Sequence, residues 1–132
     1  MFLVDTNVLS ELLRPRPDEG VLAWANELPP PLRISVVTLE EVRFGLAARP
    51  NQRIERRFER LIEESAEVLP VTAEIAGRAG ALRGALRRDG IQRTQADMFI
   101  AATALAHQLM LATRNVRDFE GCGISVVNPF SE

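Results

Sequence analysis

Short apolar runs along this chain alternate with longer segments whose apolar residues recur at helical spacing. Five runs rich in β-branched or bulky apolar residues predict strands at residues 2–5, 34–37, 68–71, 109–112 and 124–127. No low-complexity tract or linker interrupts the alternation. The order predicts an α/β fold with a central parallel sheet of four to five strands flanked by helices.

Helical patterns fill the intervals between these runs. One amphipathic helix is predicted around residues 54–62, and another runs from Thr72 to Arg88, where Asp89-Gly90 is typical of a helix end. Small residues recur every four positions within the second helix, at Ala76, Gly80 and Gly84. This stripe indicates either close packing on another helix or a second subunit, or simply a weak helix, since each glycine costs about 1 kcal/mol relative to alanine.

Size and composition narrow the classes of protein. A chain of 132 residues fits one domain, 1–132, with a single core. The only cysteine, Cys122, cannot form an internal disulfide, and no apolar stretch is typical of a membrane span or secretory signal, so we expect a cytoplasmic protein. A net charge of -2 excludes a polycation that coats nucleic acid or membranes.

The positive charges are unusual, because all 16 are arginines and none is a lysine. Two interpretations stay open. The planar guanidinium fork suits phosphate recognition, but a coding bias that favours arginine would produce the same composition.

Acidic residues near the predicted strand ends carry the candidate chemistry. Asp18 and Asp89 occupy ordinary cap or turn positions. Four other acids follow strands or open helices: Asp5, Glu41, Asp97 and Asp118. Each also has a structural interpretation, because Thr38 to Glu41 and Thr94 to Asp97 have capping-box spacing, Asp5 can cap a helix near Asn7, and Asp118 can be a loop residue.

Taken together, these four acids indicate a cation site. The carboxyl ends of parallel strands lie along one edge of a sheet, which is where open α/β sheets bind ligands. Two carboxylates about 4 Å apart repel each other by roughly 4 kcal/mol at an effective dielectric near 20, so a cluster requires a cation. Histidine and cysteine are nearly absent. An all-oxygen site suits Mg²⁺, or alternatively Mn²⁺, and such ions activate water for phosphodiester hydrolysis.

Polar and basic neighbours extend this prediction. Hydroxyl and amide side chains beside the acids can orient the carboxylates, and we expect this role for Thr6, Asn7, Thr113 and Asn115. Arginines near the proposed site can contact RNA phosphates or pair with the acids instead. The best placed are Arg114 and Arg117, with Arg43 and Arg93 behind them.

Four segments of the chain carry a family resemblance. LVDTNVLSEL, ISVVTLEEVRFG, RTQADMFIAATALAHQLMLATRN and VRDFEG resemble, in this order, the conserved blocks of PIN-domain ribonucleases, specifically the VapC toxins of bacterial toxin-antitoxin pairs and their FitB-like relatives. The resemblance covers nearly the whole chain. It implies that Asp5, Glu41 and Asp97 are the three core metal-binding acids. Relatives often carry a fourth aspartate where this chain has Asn115, so two alternatives stay open: Asp118 completes the set, with or without a neutral oxygen from Asn115, or Asn115 takes the fourth position.

The resemblance also implies a function and partners. It implies a three-layer PIN fold, usually in a homodimer, and a Mg²⁺-dependent endoribonuclease that is the toxin of a type II toxin-antitoxin module. The cognate antitoxin, VapB- or FitA-like, would occupy the acidic groove with its C-terminal segment. DNA would be contacted only through the antitoxin, and no membrane is involved.

Rival interpretations differ in what they require. A haloacid-dehalogenase-like phosphatase or a response-regulator receiver needs a lysine, which this chain lacks. A catalytically inactive PIN-like module, acting through protein or nucleic-acid binding, remains the alternative. The sequence does not identify the RNA that would be cleaved.

Overall fold

The computed structural model describes residues 1–131 and contains five strands and six α-helices in alternation. In chain order these are β1 (Phe2–Val4), α1 (Thr6–Leu12), α2 (Glu19–Asn26), β2 (Leu32–Ser35), α3 (Val36–Ala48), α4 (Gln52–Glu64), β3 (Ala66–Leu69), α5 (Ala73–Arg88), α6 (Gln95–His107), β4 (Met110–Ala112) and β5 (Val126–Val127). A 3₁₀ turn, Val116–Phe119, follows β4.

The strands form one sheet in the order β3-β2-β1-β4-β5, and every neighbouring pair is parallel. The predicted α/β fold with a parallel sheet is therefore confirmed. Because all strands run the same way, their carboxyl ends lie along one edge. Strands β1 and β4 are neighbours at the centre, with Val4 level with Ala112.

Apolar side chains cover both faces of the sheet. Successive strand residues point to opposite faces, so Leu3 and Val4 belong to different clusters of buried residues. The Leu3 cluster is completed by α5 and α6, with residues such as Ile75 and Ile100. Residues of α1, α2, α3 and α4 complete the Val4 cluster. The result is three layers, with helices on either side of the sheet.

The second strand ends earlier than predicted. It covers Leu32–Ser35 rather than 34–37, because the Ser35 hydroxyl accepts a hydrogen bond from the Val37 amide and begins α3 at Val36. The capping-box interpretation of Thr38 to Glu41 is therefore wrong. Thr38 instead lies inside α3 with its side chain fully buried.

The third strand covers Ala66–Leu69 rather than 68–71. Pro70, which lacks an N–H to donate to a neighbouring strand, follows its last residue directly. The other three strands lie within their predicted ranges but are shorter. Asp5 is thus not a strand residue; it caps α1.

Several predicted helix ends are confirmed. Asp18 caps α2, where its carboxylate accepts a hydrogen bond from the Val21 amide. Thr94 caps α6 through the Asp97 amide. After α5, Gly90 takes a positive φ of 81°, which suits glycine at a helix end.

The C-terminal segment is held against the start of α2. The Ser131 amide and hydroxyl donate to the two carboxylate oxygens of Asp18, at 2.9 and 2.6 Å. Close approach is possible because residue 20 is glycine: a Cβ there would lie 2.7 Å from the Ser131 nitrogen. This clamp fixes Phe130, whose ring lies 4.5 Å from the Arg114 guanidinium.

None of the helices in residues 1–131 combines the length and apolar character needed to cross a bilayer.

Candidate active site at the carboxyl edge of the sheet

The centre of the site is built by the ends of β1 and β4. Because Val4 is level with Ala112, the next residues, Asp5 and Thr113, emerge side by side. The Asp5 amide donates to the Ala112 carbonyl at 2.9 Å, and the Thr113 hydroxyl donates to Asp5 Oδ2 at 2.7 Å. The parallel register therefore joins two residues that are far apart in sequence.

The Asp5 carboxylate has donors on both oxygens. Oδ1 accepts from the Thr6 amide at 2.8 Å, and Oδ2 accepts from the Asn7 side-chain amide at 3.1 Å as well as from Thr113. The side chain is nevertheless buried, and this desolvation raises the pKa of Asp5; the neighbouring Glu41 charge also raises it, against the hydrogen bonds. The hydrogen bonds thus fix the orientation of the Asp5 carboxylate, while its burial and the nearby Glu41 charge destabilise its ionised form.

Asn7 links this network to the segment after β4. Its Nδ2 also lies 3.2 Å from the Thr113 hydroxyl oxygen, and its Oδ1 accepts from the Arg114 amide at 2.9 Å. The Asn115 amide donates to the Thr113 hydroxyl oxygen at 3.0 Å. Asn115 therefore reaches the network through its backbone N–H.

Glu41 joins the site through Thr6. The Thr6 hydroxyl oxygen lies 2.6 Å from Glu41 Oε1 and 3.0 Å from the Thr38 hydroxyl oxygen. An ionised carboxylate can only accept, so Thr6 donates its single proton to Glu41 and accepts from Thr38. The first turns of α1 and α3 are thereby tied together. The sequence pattern does not predict Thr38 as a site residue, because its spacing from Glu41 is that of a capping box and indicates a helix start instead of a contact with Thr6.

Asp97 and Asp118 form the other side of the site. Asp97 lies in the first turn of α6, and Asp118 lies in the exposed 3₁₀ turn after β4. Partial burial raises the pKa of Asp97, and the charges of Asp5, Asp118 and Glu41 raise it further, although a hydrogen bond with Thr94 opposes them. Asp97 is therefore within electrostatic reach of the other three predicted acids.

The four acids do not form a tight ligand cage. Among residues 1–131, no three histidine, cysteine, aspartate or glutamate side chains are close enough to hold a metal ion between them. Mg²⁺ does not require such a cage, because it keeps several waters and binds through one or two carboxylates. Asp5 is buried, Asp97 is half-buried, and their charges repel each other. These two carboxylates offer only oxygen ligands, so they fit a hydrated Mg²⁺ or Mn²⁺ ion and are the groups that would hold it.

The four predicted arginines occupy different surroundings. Arg43 lies 3.9 Å from Glu59 and 5.0 Å from the Phe58 ring, so its guanidinium faces α4. Two positions apart on a helix, Arg43 and Glu41 project from different faces of α3. Arg117 is exposed on the 3₁₀ turn.

Arg93 and Arg114 have structural contacts of their own. Arg93 Nη2 donates to the Arg117 carbonyl at 3.1 Å and to the Glu120 carbonyl at 3.4 Å. These bonds hold the 3₁₀ turn that carries Asp118. Arg114 lies over Phe130, a contact for which the sequence pattern contains no signal.

A groove begins beside Glu41. It has a volume of about 640 Å³ and lies between α1, α3 and the start of α4. The residues that line it include Ser10, Leu13, Glu41, Val42, Gly45, Leu46, Arg49, Asn51 and Ile54. The groove therefore combines apolar side chains with one carboxylate, Glu41, and one guanidinium, Arg49.

This fold and this edge of carboxylates define a PIN-like domain, and comparison with known proteins agrees. The PIN domain family model matches residues 2–121. The chain belongs to the PIN domain family.

Named relatives match over the whole chain. It is 36% identical to VapC ribonuclease Y4jK of Sinorhizobium fredii, with 98% of each protein covered, and 34% identical to Toxin FitB of Neisseria gonorrhoeae, with 100% of each covered. Among solved structures, a toxin-antitoxin complex from Klebsiella pneumoniae contains a chain 30% identical to this one, with a TM-score of 0.79 and 100% of both chains covered.

Proposed function

We propose that this protein is the ribonuclease toxin of a type II toxin-antitoxin module and that it hydrolyses RNA phosphodiester bonds with the help of Mg²⁺. The single observation that carries the proposal is the Asp5 carboxylate, which is buried, held by three donors and raised in pKa beside other acids. Full-length similarity to a VapC ribonuclease and to FitB supports the choice of RNA and of a toxin role. Mn²⁺ is the expected substitute ion.

The residues of the chain would prepare the site in two ways. Thr113, Asn7 and the Thr6 amide orient the Asp5 carboxylate, and the Thr6 hydroxyl orients Glu41. Bound Mg²⁺ would polarise the phosphodiester and lower the pKa of a water so that it can attack phosphorus. Asp97 would share the ion with Asp5, while Asp118 and Glu41 add negative charge that favours a cation.

We place the antitoxin in the groove beside Glu41. Three helices line the groove, and its apolar side chains together with Glu41 and Arg49 suit a chain segment that carries apolar side chains and charges of both signs. The related toxin-antitoxin complex supports a protein partner of this kind. A homodimer and DNA contact through the antitoxin are further parts of the proposal.

Incubation of the purified protein with total RNA tests the proposed activity. We expect cleavage with Mg²⁺ and none with EDTA, and we expect the Asp5→Asn and Asp97→Asn proteins to be inactive while still unfolding cooperatively. Asp89→Asn is the matched control, because Asp89 is an exposed aspartate at the end of α5. Equal cleavage by wild type and both site variants would contradict the proposal and favour an inactive binding module.

A further inference from the structure

A second cavity lies beside α5 and is lined by basic side chains. It has a volume of about 460 Å³, and we name it the α5 cavity after its lining residues, Gly80, Arg83, Gly84, Arg87, Ile91, Gln92 and Arg93. Within residues 1–131, this lining contains three arginines and no aspartate or glutamate. Such a composition suits an anionic ligand.

The two arginines of α5 are available to a ligand. Arg83 and Arg87 are exposed and lie one helical turn apart, so their guanidinium groups share a face. No ion pair formed within residues 1–131 involves either of them. Gly80 and Gly84 line the same cavity next to open space, since a Cβ at either position would meet no atom within 4 Å.

Arg93 connects the α5 cavity to the candidate active site. Its guanidinium donates to the carbonyls of Arg117 and Glu120, on either side of Asp118. It also directly precedes Thr94, which caps α6 through the amide of Asp97. One wall of the cavity is therefore attached to the two segments that present Asp97 and Asp118.

An RNA strand that reaches the acidic site needs positive charge to bind its other phosphates. The acids attract a cation but repel phosphates, whereas guanidinium groups bind phosphate oxygens through paired N–H donors. We propose that the α5 cavity binds a backbone phosphate of the RNA strand at a position away from the bond to be cleaved. This inference rests on the proposed ribonuclease function and adds a second point of contact to it.

The test compares two double variants in binding and in catalysis. Arg83→Ala with Arg87→Ala removes the pair in the α5 cavity, and Arg78→Ala with Arg88→Ala is a control that removes the same charge from exposed positions of α5 outside the cavity. Binding of a labelled single-stranded oligoribonucleotide is measured in EDTA over a range of salt, and cleavage of the same RNA is measured with Mg²⁺. Thermal unfolding checks that both variants fold.

We expect the cavity variant to bind RNA about 10-fold more weakly, as for the loss of two charge contacts. The slope of log K against log salt should become shallower by about 1.4, since each contact to a single strand contributes about 0.7. KM should rise while kcat at saturating RNA stays unchanged, because the arginines do not touch the reacting atoms. The control should change affinity by less than about 2-fold.

Other results separate the two proposals. If wild type cleaves RNA and the two double variants weaken binding equally, or neither does, the α5 cavity proposal is overturned while the nuclease stands. A change from dimer to monomer in the cavity variant without weaker RNA binding would overturn it too, in favour of a protein interface. If wild type binds RNA through the cavity but never cleaves it, the cavity proposal holds and the proposed function fails.

Discussion

Two aspartates cap neighbouring helices in this protein, yet their pKa values shift in opposite directions. Asp5 caps α1 through the Thr6 amide at 2.8 Å, and Asp18 caps α2 through the Val21 amide at 3.1 Å. Burial raises the pKa of Asp5, with a further rise from Glu41. The hydroxyl and amide of Ser131 lower the pKa of Asp18 to about 2.

Burial and neighbouring charge distinguish the structural cap, Asp18, from the candidate metal ligand, Asp5. Both carboxylates accept several hydrogen bonds, so the number of donors does not separate them. Asp18 remains partly exposed to solvent, whereas Asp5 is only 5% exposed and faces other acids. A buried carboxylate that is repelled by its neighbours gains from a cation, and an exposed one does not.

Replacing the two aspartates should give the largest contrast. Asp5→Asn keeps the side-chain shape but removes the charge, and we expect RNA cleavage to fall more than 100-fold, on the order of the loss of a group that stabilises the transition state. Asp18→Asn should change cleavage by less than about 3-fold, because the α2 cap contacts neither Asp5 nor Asp97. Initial rates on one RNA at saturating Mg²⁺ measure both. Similar losses of cleavage in the two variants would contradict the different roles of Asp5 and Asp18.

Thr113→Val tests the hydrogen bonds around Asp5. The substitution keeps the shape but leaves Asp5 Oδ2 without its 2.7 Å donor and the Asn115 amide without an acceptor. We expect Mg²⁺ affinity or cleavage to fall about 10- to 100-fold and stability to fall by about 1–3 kcal/mol.

Thr103→Val serves as the control for Thr113→Val. Thr103 is an equally buried threonine whose hydroxyl donates to the Phe99 carbonyl within α6. Thr103→Val should lower the stability of the protein and leave its Mg²⁺ affinity and its cleavage of RNA unchanged. Metal titration and denaturant unfolding of both variants separate the two effects, and unchanged Mg²⁺ affinity in Thr113→Val would show that Asp5 needs no such orientation.

Gly20→Ala tests the structural cap. The added Cβ would lie 2.7 Å from the Ser131 nitrogen and 2.8 Å from the Pro129 carbonyl oxygen, so the C-terminal segment must shift. We expect a loss of about 1–2 kcal/mol in the free energy of unfolding. Gly77→Ala, in the exposed interior of α5, meets no atom within 4 Å and should instead stabilise by about 0.5–1 kcal/mol. Urea unfolding compares them, and equal effects would show that the clamp is weak.

The smallest expected effects are in the pH dependence of stability without metal. Asp18 has a native pKa of about 2, below its ordinary 3.8, so its contribution is present above pH 3.8 and is lost as the pH falls toward 2. The pKa of Asp5 is raised above 3.8, so its contribution is present below pH 3.8 and is lost as the pH rises through its native value.

Melting temperatures of the aspartate variants across pH measure this contrast. Relative to wild type, Asp18→Asn should be less stable at pH 5 and should approach wild type near pH 2. The relative stability of metal-free Asp5→Asn should increase as the pH rises above 3.8. Parallel pH profiles for the two variants would contradict the opposite pKa shifts.

Sequence patterns predicted the elements of this fold better than their ends. Alternation of apolar runs and helical spacing is enough to predict a parallel sheet, but the β-branched pair Val36-Val37 predicts a strand where the structure has the start of α3. The helix begins at Val36 because the Ser35 hydroxyl caps α3 by accepting a hydrogen bond from the Val37 amide. The strength of a local cap against the preference of two valines for strands cannot be obtained from spacing alone.

The sequence predicts the acids of the candidate site from their positions after a strand or near the start of a helix, but it does not predict the contacts that organise them. Asp5 and Asp97 were identified from their positions, but the link from Thr38 through Thr6 to Glu41 depends on how α1 and α3 pack. Likewise, the contact of Phe130 with Arg114 depends on the return of the C-terminal segment to α2. Contacts between segments that are far apart in the chain cannot be predicted from the spacing of residue types along it.

Crystals of the protein grown with Mn²⁺ and measured at the manganese absorption edge test the central claim most directly. We predict an anomalous density peak in contact with the carboxylates of Asp5 and Asp97, absent from crystals of Asp5→Asn. A protein that cleaves RNA in the same buffer but shows no peak between these two side chains would contradict the account.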